Sequence, residues 1–347
     1  MGHGIGARLT EIVRTLSPGY FAVVMATGII SIGLRYEGLT IASVVLLVIA
    51  AVAYLVLVAL SVWRLIAYPR RVWHDFTAPH TGFFFYTFVA GTNVLAARLA
   101  MDTGPALPAA LLGVSFLVWL VLGYAVPWAV VIGRRGRETL SGMDGSWFVW
   151  AVASQSIAVL AATLEPGLPP LRDALSIVAV MFWGVGLILY AIIGVAVIVH
   201  LLAHGVTAES IGPAYWVSMG AASITVLAGS RIVEMQHTPM VDVTHGLVAG
   251  GSVVLWSFAT WLSPVLVAVD WWRHVARRIP LHYDPSLWSA VFPLGMYAVA
   301  GIDLGAADRL PLVGWFGRVF LWIALVAWAV LMAANVGHAV SRFATPR

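Results

Sequence analysis

Five charged residues recur at matched places along this chain. Arg35, Arg98, Glu165, Arg231 and Asp303 stand 16, 16, 20, 18 and 17 residues after Gly19, Gly82, Gly145, Pro213 and Ser286. Each of those five points opens a similar phrase: GYFAVVMATG, GFFFYTFVAG, GSWFVWAVAS, PAYWVSMGAA and SLWSAVFPLG. A small residue or Pro comes first, then an aromatic, then small residues about two helical turns later. The starts lie 63, 63, 68 and 73 residues apart, a repeated unit of helical-hairpin length. If the phrases are five helices around one axis, their far ends bring three positive and two negative charges to one mouth. A ring with excess positive charge would enrich anions at an entrance. Helix ends that meet headgroups also carry charge for structural reasons, and Arg at a helix C-terminus suits the macrodipole. Both readings remain open.

Between those ends the polar groups are uncharged: Thr27 and Ser31, Thr87 and Asn93, Ser154 and Gln155, Ser218, and Ser289. A lumen lined by hydroxyls and amides would bind an ion weakly, and conduction requires that the ion also leave. Proton relays and substrate counter-ions usually need an ionisable group inside the membrane. Here coupling to protons would have to draw on Glu165, Asp303 or His80, all at segment ends. One stretch, SLWSAVFPLGMYAVAG, places Phe292-Pro293 in mid-segment. Pro293 removes a backbone donor, so the Ser289 carbonyl loses its helical partner. In hydrocarbon such a break survives only when buried in protein or lining a cavity.

Enzymatic chemistry has little to work with. Cys is absent, which excludes thiolate catalysis and Cys-ligated metals. His200 and His204 share a helix face, but HLLAH lacks the Glu of a zinc-protease motif. His74-Asp75 and His80 could form a pH-sensitive loop. The expectation is a non-enzyme with neither metal nor cofactor.

The elements that must hold these residues follow from composition. The 347 residues are 61% apolar and 10% charged, with mean hydropathy +0.95. Soluble domains carry about a quarter charged residues, so the chain is polytopic in a bilayer. All 19 basic residues are Arg and the net charge is only +4, which points to basic loops and not to a nucleic-acid face. Ten segments are apolar and long enough to cross: 18–36, 41–67, 80–100, 106–132, 144–164, 172–203, 211–231, 245–270, 285–304 and 312–338. The joints carry charge, Pro or Gly, as in YPRRVWHD, GRRGRE and RHVARRIPLHYDP. Odd spans are short and carry the uncharged polar groups; even spans are longer and almost wholly apolar. Long spans tilt and small residues allow close approach. The expected fold is therefore all-α: five helical hairpins, with the odd helices as an inner ring around a quasi-fivefold axis.

The segments divide into a short interfacial piece 1–17, a membrane domain 18–338 and a tail 339–347. MGHGIGARLTEIVRTLS is too polar for a signal peptide, which makes the first span an uncleaved anchor; IGARLTEIVRTL suits a surface helix and equally a frayed start. Thirteen Arg fall on the side of the termini and six on the other. The positive-inside rule then places both termini in the cytoplasm.

The order and spacing of PGYFAVVMATGIISIG, GSWFVWAVASQS, PAYWVSMGAASITVLAG and FPLGMY resemble the tellurite-resistance/C4-dicarboxylate transporter family, also catalogued as voltage-dependent anion channels. The resemblance covers residues 17–340 or so. It implies a homotrimer in the bacterial inner membrane, with a pore down the quasi-fivefold axis of each chain occluded by a Phe of the ninth helix. Phe292, before Pro293, matches that gate, and Gly28 matches the kind of small residue that leaves room beside it. The implied partners are small inorganic or dicarboxylate anions and the lipid bilayer. The implied activity is downhill anion flux; the alternative is proton-coupled transport of a malate-like dicarboxylate, tellurite or sulfite.

Overall fold

The computed structural model describes the backbone of residues 2–131 and 142–344, so the GRRGRE joint and the last residues of the tail lie outside the described residues. Ten helices are long and apolar enough to span a membrane: Pro18–Tyr36, Thr40–Ala67, Gly82–Ala100, Ala106–Val130, Gly145–Gly167, Pro169–His204, Pro213–Val233, Pro239–Ala276, Pro285–Ala307 and Pro311–His338. They follow the expected ten, with ends displaced by a few residues. The largest shift is in the eighth span, which starts at Pro239 because Thr238 caps it: the Thr238 hydroxyl accepts from the Val241 amide, and Pro sits in the first turn. The tenth helix runs on to Ala344, through most of the stretch expected as a tail.

Two further helices flank the spans. Gly2–Thr15 precedes the first, and Pro69–Thr77 lies between the second and third. The sequence reading offered the former as a short surface helix or a frayed start, and treated the latter as a joint.

Burial separates the spans into two classes. Across the most apolar stretch of each odd span 67% to 89% of residues are buried, against 17% to 28% in the even spans. Each odd helix packs against two other odd helices, in the order first, third, fifth, seventh, ninth and back to the first, so the ring closes. Each even helix lies against the odd helix that precedes it. The outward faces of the even spans, with Ile41, Leu202, Val243 and Val326 among the most exposed, form an apolar surface suited to lipid.

Local chemistry explains how the inner helices begin. Every odd span opens with one 3-10 turn: Pro18–Phe21, Gly82–Phe85, Gly145–Trp147, Pro213–Trp216 and Pro285–Leu287. Pro or Gly starts each turn and an aromatic or Leu closes it. Ser17, Asp144 and Asp284 cap three of them by accepting the amide protons of Gly19, Ser146 and Ser286. Close approach closes the last hairpin: a Cβ at Gly305 would lie 2.6 Å from the Gly314 nitrogen, so these helices meet backbone to backbone.

Candidate functional site: the axis of the inner ring

The five odd helices meet around a small enclosed space of about 10 Å³, the scale at which one water fits. All five contribute to its wall, including Ile29, Asn93, Ser156, Ile224 and Met296, and its only polar lining residues are Asn93 and Ser156. Asn93 is held by both neighbours. Its amide donates to Ser156 Oγ at 2.9 Å and its carbonyl oxygen accepts from Ser115 Oγ of the fourth span at 2.5 Å. No charged group reaches the axis at this level.

Phe292 lies one turn before Met296 on the same helix face and is 2% exposed. The ninth helix is continuous from Trp288 to Ala307 with Pro293 inside it. Both Phe292 and Pro293 rest on Gly220 of the seventh span, where a Cβ would stand 2.9 Å from Pro293 Cγ and 3.4 Å from Phe292 Cε1. Gly28 does not take that part. The atoms nearest a Cβ there belong to Val94, at 2.9 Å, and to the adjoining backbone of the third span. The glycine beside the aromatic is therefore Gly220, which the sequence reading passed over.

Several residues expected to line a lumen instead tie the inner ring to the outer one. Thr27 Oγ1 accepts from Trp328 Nε1 of the tenth span at 2.9 Å. Ser31 Oγ donates to the Ser43 carbonyl of the second span at 2.6 Å. Gln155 Nε2 donates to the Trp183 carbonyl of the sixth at 3.0 Å, and Trp119 Nε1 of the fourth donates to Ser154 Oγ at 3.1 Å. Thr87 Oγ1 donates to the Pro18 carbonyl at 2.8 Å, between the starts of the first and third spans. Ser218 Oγ donates to the Tyr215 carbonyl of its own turn, and Ser289 is buried one turn before Pro293. Of the eight, Asn93 alone lines the axial space; Ser156 joins it unanticipated.

The five charges at the C-terminal ends of the odd spans are all paired. Arg98 is fully buried; its Nε donates to Ser31 and Ser43 hydroxyls at 2.9 and 3.1 Å, and Nη1 meets Asp102 at 2.6 Å. Arg35 shares Asp102 at 3.3 Å. Glu165, fully buried, accepts from Arg172 at 2.7 Å. Arg231 holds Asp303 at 2.6 Å and Glu234 at 3.6 Å, and also donates to the Tyr36 hydroxyl. Arg318 and Glu37 add a further pair at 3.1 Å. With these partners included the collar has five cations and five anions, so the net positive field expected from a three-to-two count is cancelled locally. Sequence reading missed the partners because Asp102 and Glu234 sit in connections and Arg172 begins the next span, where spacing says nothing about contact. Outside the spans, the Arg98 hydrogen bond above all holds the Asp102 carboxyl below its ordinary range.

His200 and His204 stack at 4.5 Å between ring centroids. Among the described residues no cluster of three or more His, Asp or Glu could hold a metal ion.

Comparison with known proteins gives this geometry a family. The family model described as voltage-dependent anion channel matches residues 15–336. A 150-residue stretch is 49% identical to an uncharacterized membrane protein of Mycobacterium tuberculosis, covering 43% of this chain and 76% of that protein. An uncharacterized transporter of Methanocaldococcus jannaschii is 22% identical over 338 residues, which is 95% of this chain and 96% of that protein. A sulfite efflux pump of Trichophyton rubrum is 21% identical over 349 residues, covering 93% of this chain and 91% of that protein. With its ten spans and a match over nearly the whole length, the chain belongs to the voltage-dependent anion channel family.

Proposed function

We propose that this protein passes small anions down their gradient along the axis of its inner ring, with Phe292 as the gate. The observation that carries the reading is the composition of the axis: five helices converge there, and the wall offers one amide and one hydroxyl among apolar side chains. Such a wall binds an anion weakly and, when narrow and dry, bars it altogether. A conformation with about 10 Å³ of free space is a closed one, and Phe292 lies one helical turn before Met296 of its wall. Pro293 lacks the donor that would tie this turn to Ser289, which lowers the cost of local rearrangement beside the ring. The protein works in the bacterial inner membrane with both termini in the cytoplasm, and assembles as a homotrimer with one axis per chain. Sulfite, the cargo named for its fungal relatives, joins chloride, nitrate and malate as anions to test.

The experiment is anion flux in liposomes for wild type and Phe292→Ala under a set potential. Removing a packing Phe from a core costs about 3–5 kcal/mol, so a merely structural Phe292 would yield less folded protein and less flux. A plug would leave folded protein with anion conductance raised at least tenfold. The proposal fails if folded Phe292→Ala is silent while wild type takes up malate or tellurite only with a proton gradient. That result would favour coupled transport through Asp303 or Glu165.

A further inference from the structure

Away from the axis, at the end where the odd spans begin, lies a cavity of about 590 Å³. The helix Gly2–Thr15, the end of the second span and the helix Pro69–Thr77 surround it. Its wall includes Arg14, Arg64, Arg70, Arg71 and His74, with Asp75 the only acid. Two of the four guanidinium groups are already paired: Arg64 with Asp75 at 2.6 Å and Arg14 with Glu11 at 2.6 Å. Even these keep a donor in reserve. The Nε–H groups of Arg64 and Arg14 are buried without an acceptor, and Arg64 as a whole is 6% exposed. A buried unsatisfied donor costs about 1–3 kcal/mol, so an acceptor that reaches it is favoured. Arg70 and Arg71 have no acidic partner among the described residues.

The surroundings identify the kind of acceptor. Ile66 and Leu65, at the end of the second span, and Trp73, on the short helix, are 77%, 57% and 64% exposed. Exposed apolar side chains and an indole adjoining Arg64 and His74 of the basic hollow in sequence, where the second span ends, match the boundary between acyl chains and headgroups. Arginine forks suit phosphate oxygens. The geometry points to a binding site for the phosphate of an anionic phospholipid headgroup, with the acyl chains lying along Ile66 and Trp73. The bound phosphate accepts from Arg70, Arg71 and the spare donor of Arg64. It thereby joins the end of the second span to the Pro69–Thr77 helix, beside the Gly2–Thr15 helix and the starts of the first and third spans, since Thr15, Pro18 and Thr81 also line the hollow. The site is independent of the gate, and its test reads stability, not flux.

The full chain is reconstituted in nanodiscs of phosphatidylcholine alone or with increasing phosphatidylglycerol, and its Tm is measured. A ligand that binds only the folded state raises Tm with its concentration. Wild type should gain Tm as phosphatidylglycerol rises, and about 1 M salt, where the Debye length is about 3 Å, should remove most of the gain. Arg70→Gln/Arg71→Gln should lose most of the gain, whereas Arg277→Gln/Arg278→Gln, the same loss of charge elsewhere, should keep it. Equal losses in the two double variants would reduce the effect to general surface charge and overturn the site. Inorganic phosphate in phosphatidylcholine discs provides the other arm. If it gives the full gain and phosphatidylglycerol adds nothing, the occupant is a soluble anion and the lipid assignment is wrong. Absence of any gain in wild type overturns it outright.

Discussion

At the residue scale, Gly220 is the most informative neighbour of the proposed gate. Its missing side chain is what lets Phe292 and Pro293 lie against the seventh helix. In Gly220→Ala the new Cβ stands 2.9 Å from Pro293 Cγ, a distance that requires the ninth helix or the ring to move. Overpacking of this kind costs about 1–3 kcal/mol. The expected outcome is a lower Tm together with an anion flux different from wild type, because the group displaced is the proposed gate. Gly28→Ala, whose Cβ meets Val94, should lower Tm without the same change in flux. If Gly220→Ala changes stability alone, the contact belongs to packing only. The collar charges tell the opposite story. Arg98 and Glu165 are fully buried and paired, and removing one member of a buried pair leaves the other uncompensated. Charges so occupied hold helix ends together and leave little field for an approaching anion.

At the scale of the element, the ten helices were legible in sequence and the rotation of each inner helix was not. Span number followed from apolar length and from Pro, Gly and Arg at the joints. The inner ring followed from the phrases that open the odd spans, whose Pro, Gly and aromatic residues build the recurrent 3-10 turns. Facing was hidden because an inner helix touches protein on every side. It carries no polar stripe toward water, so its periodicity is uninformative. Its hydroxyls and amides are equally satisfied against the outer helices, as Thr27 is by Trp328 and Ser31 by Ser43. Phe292 was singled out by the family resemblance, from its place before Pro293, and not by periodicity.

The turn that opens the fifth span supports a pH prediction. Asp144 caps it, accepting from the Ser146 amide at 2.8 Å and the Ser146 hydroxyl at 2.5 Å. Burial pushes the Asp144 carboxyl above its ordinary range, although those hydrogen bonds and the nearby His80 and His200 pull it down. An acid whose folded pKa is raised holds its proton more tightly folded than unfolded. Its stabilising contribution is complete below the unfolded pKa and disappears as pH rises through the folded value. Between about pH 4 and 5.5, below the histidine range, this group should make wild-type Tm fall as pH rises. Asp144→Asn keeps the Oδ1 acceptor and removes the titration, so its Tm should fall less over that window. Equal slopes for the two proteins in a thermal melt would show that Asp144 does not titrate there.

At the scale of the whole molecule, the proposed orientation would put the proposed gate and the basic hollow on one side of the membrane and the collar on the other. Arg asymmetry supports a cytoplasmic placement of the N-terminal ends of the odd spans. Phe292 lies seven residues into the ninth span, Pro285–Ala307, roughly 10 Å along the helix from its start, so in the proposed orientation the proposed gate is nearer the cytoplasmic mouth and the paired collar faces out. The absence of Cys makes this directly measurable. Thr103, in the exposed connection after the third span, and Leu281, 67% exposed after the eighth, can each be replaced by a single cysteine. In intact spheroplasts a membrane-impermeant maleimide should label Thr103→Cys and spare Leu281→Cys until the membrane is opened. The reverse pattern would turn the molecule over. It would move Arg70 and Arg71 to the outer leaflet and make the gate the first barrier an incoming anion meets. Labelling of both in intact cells would mean two insertion topologies.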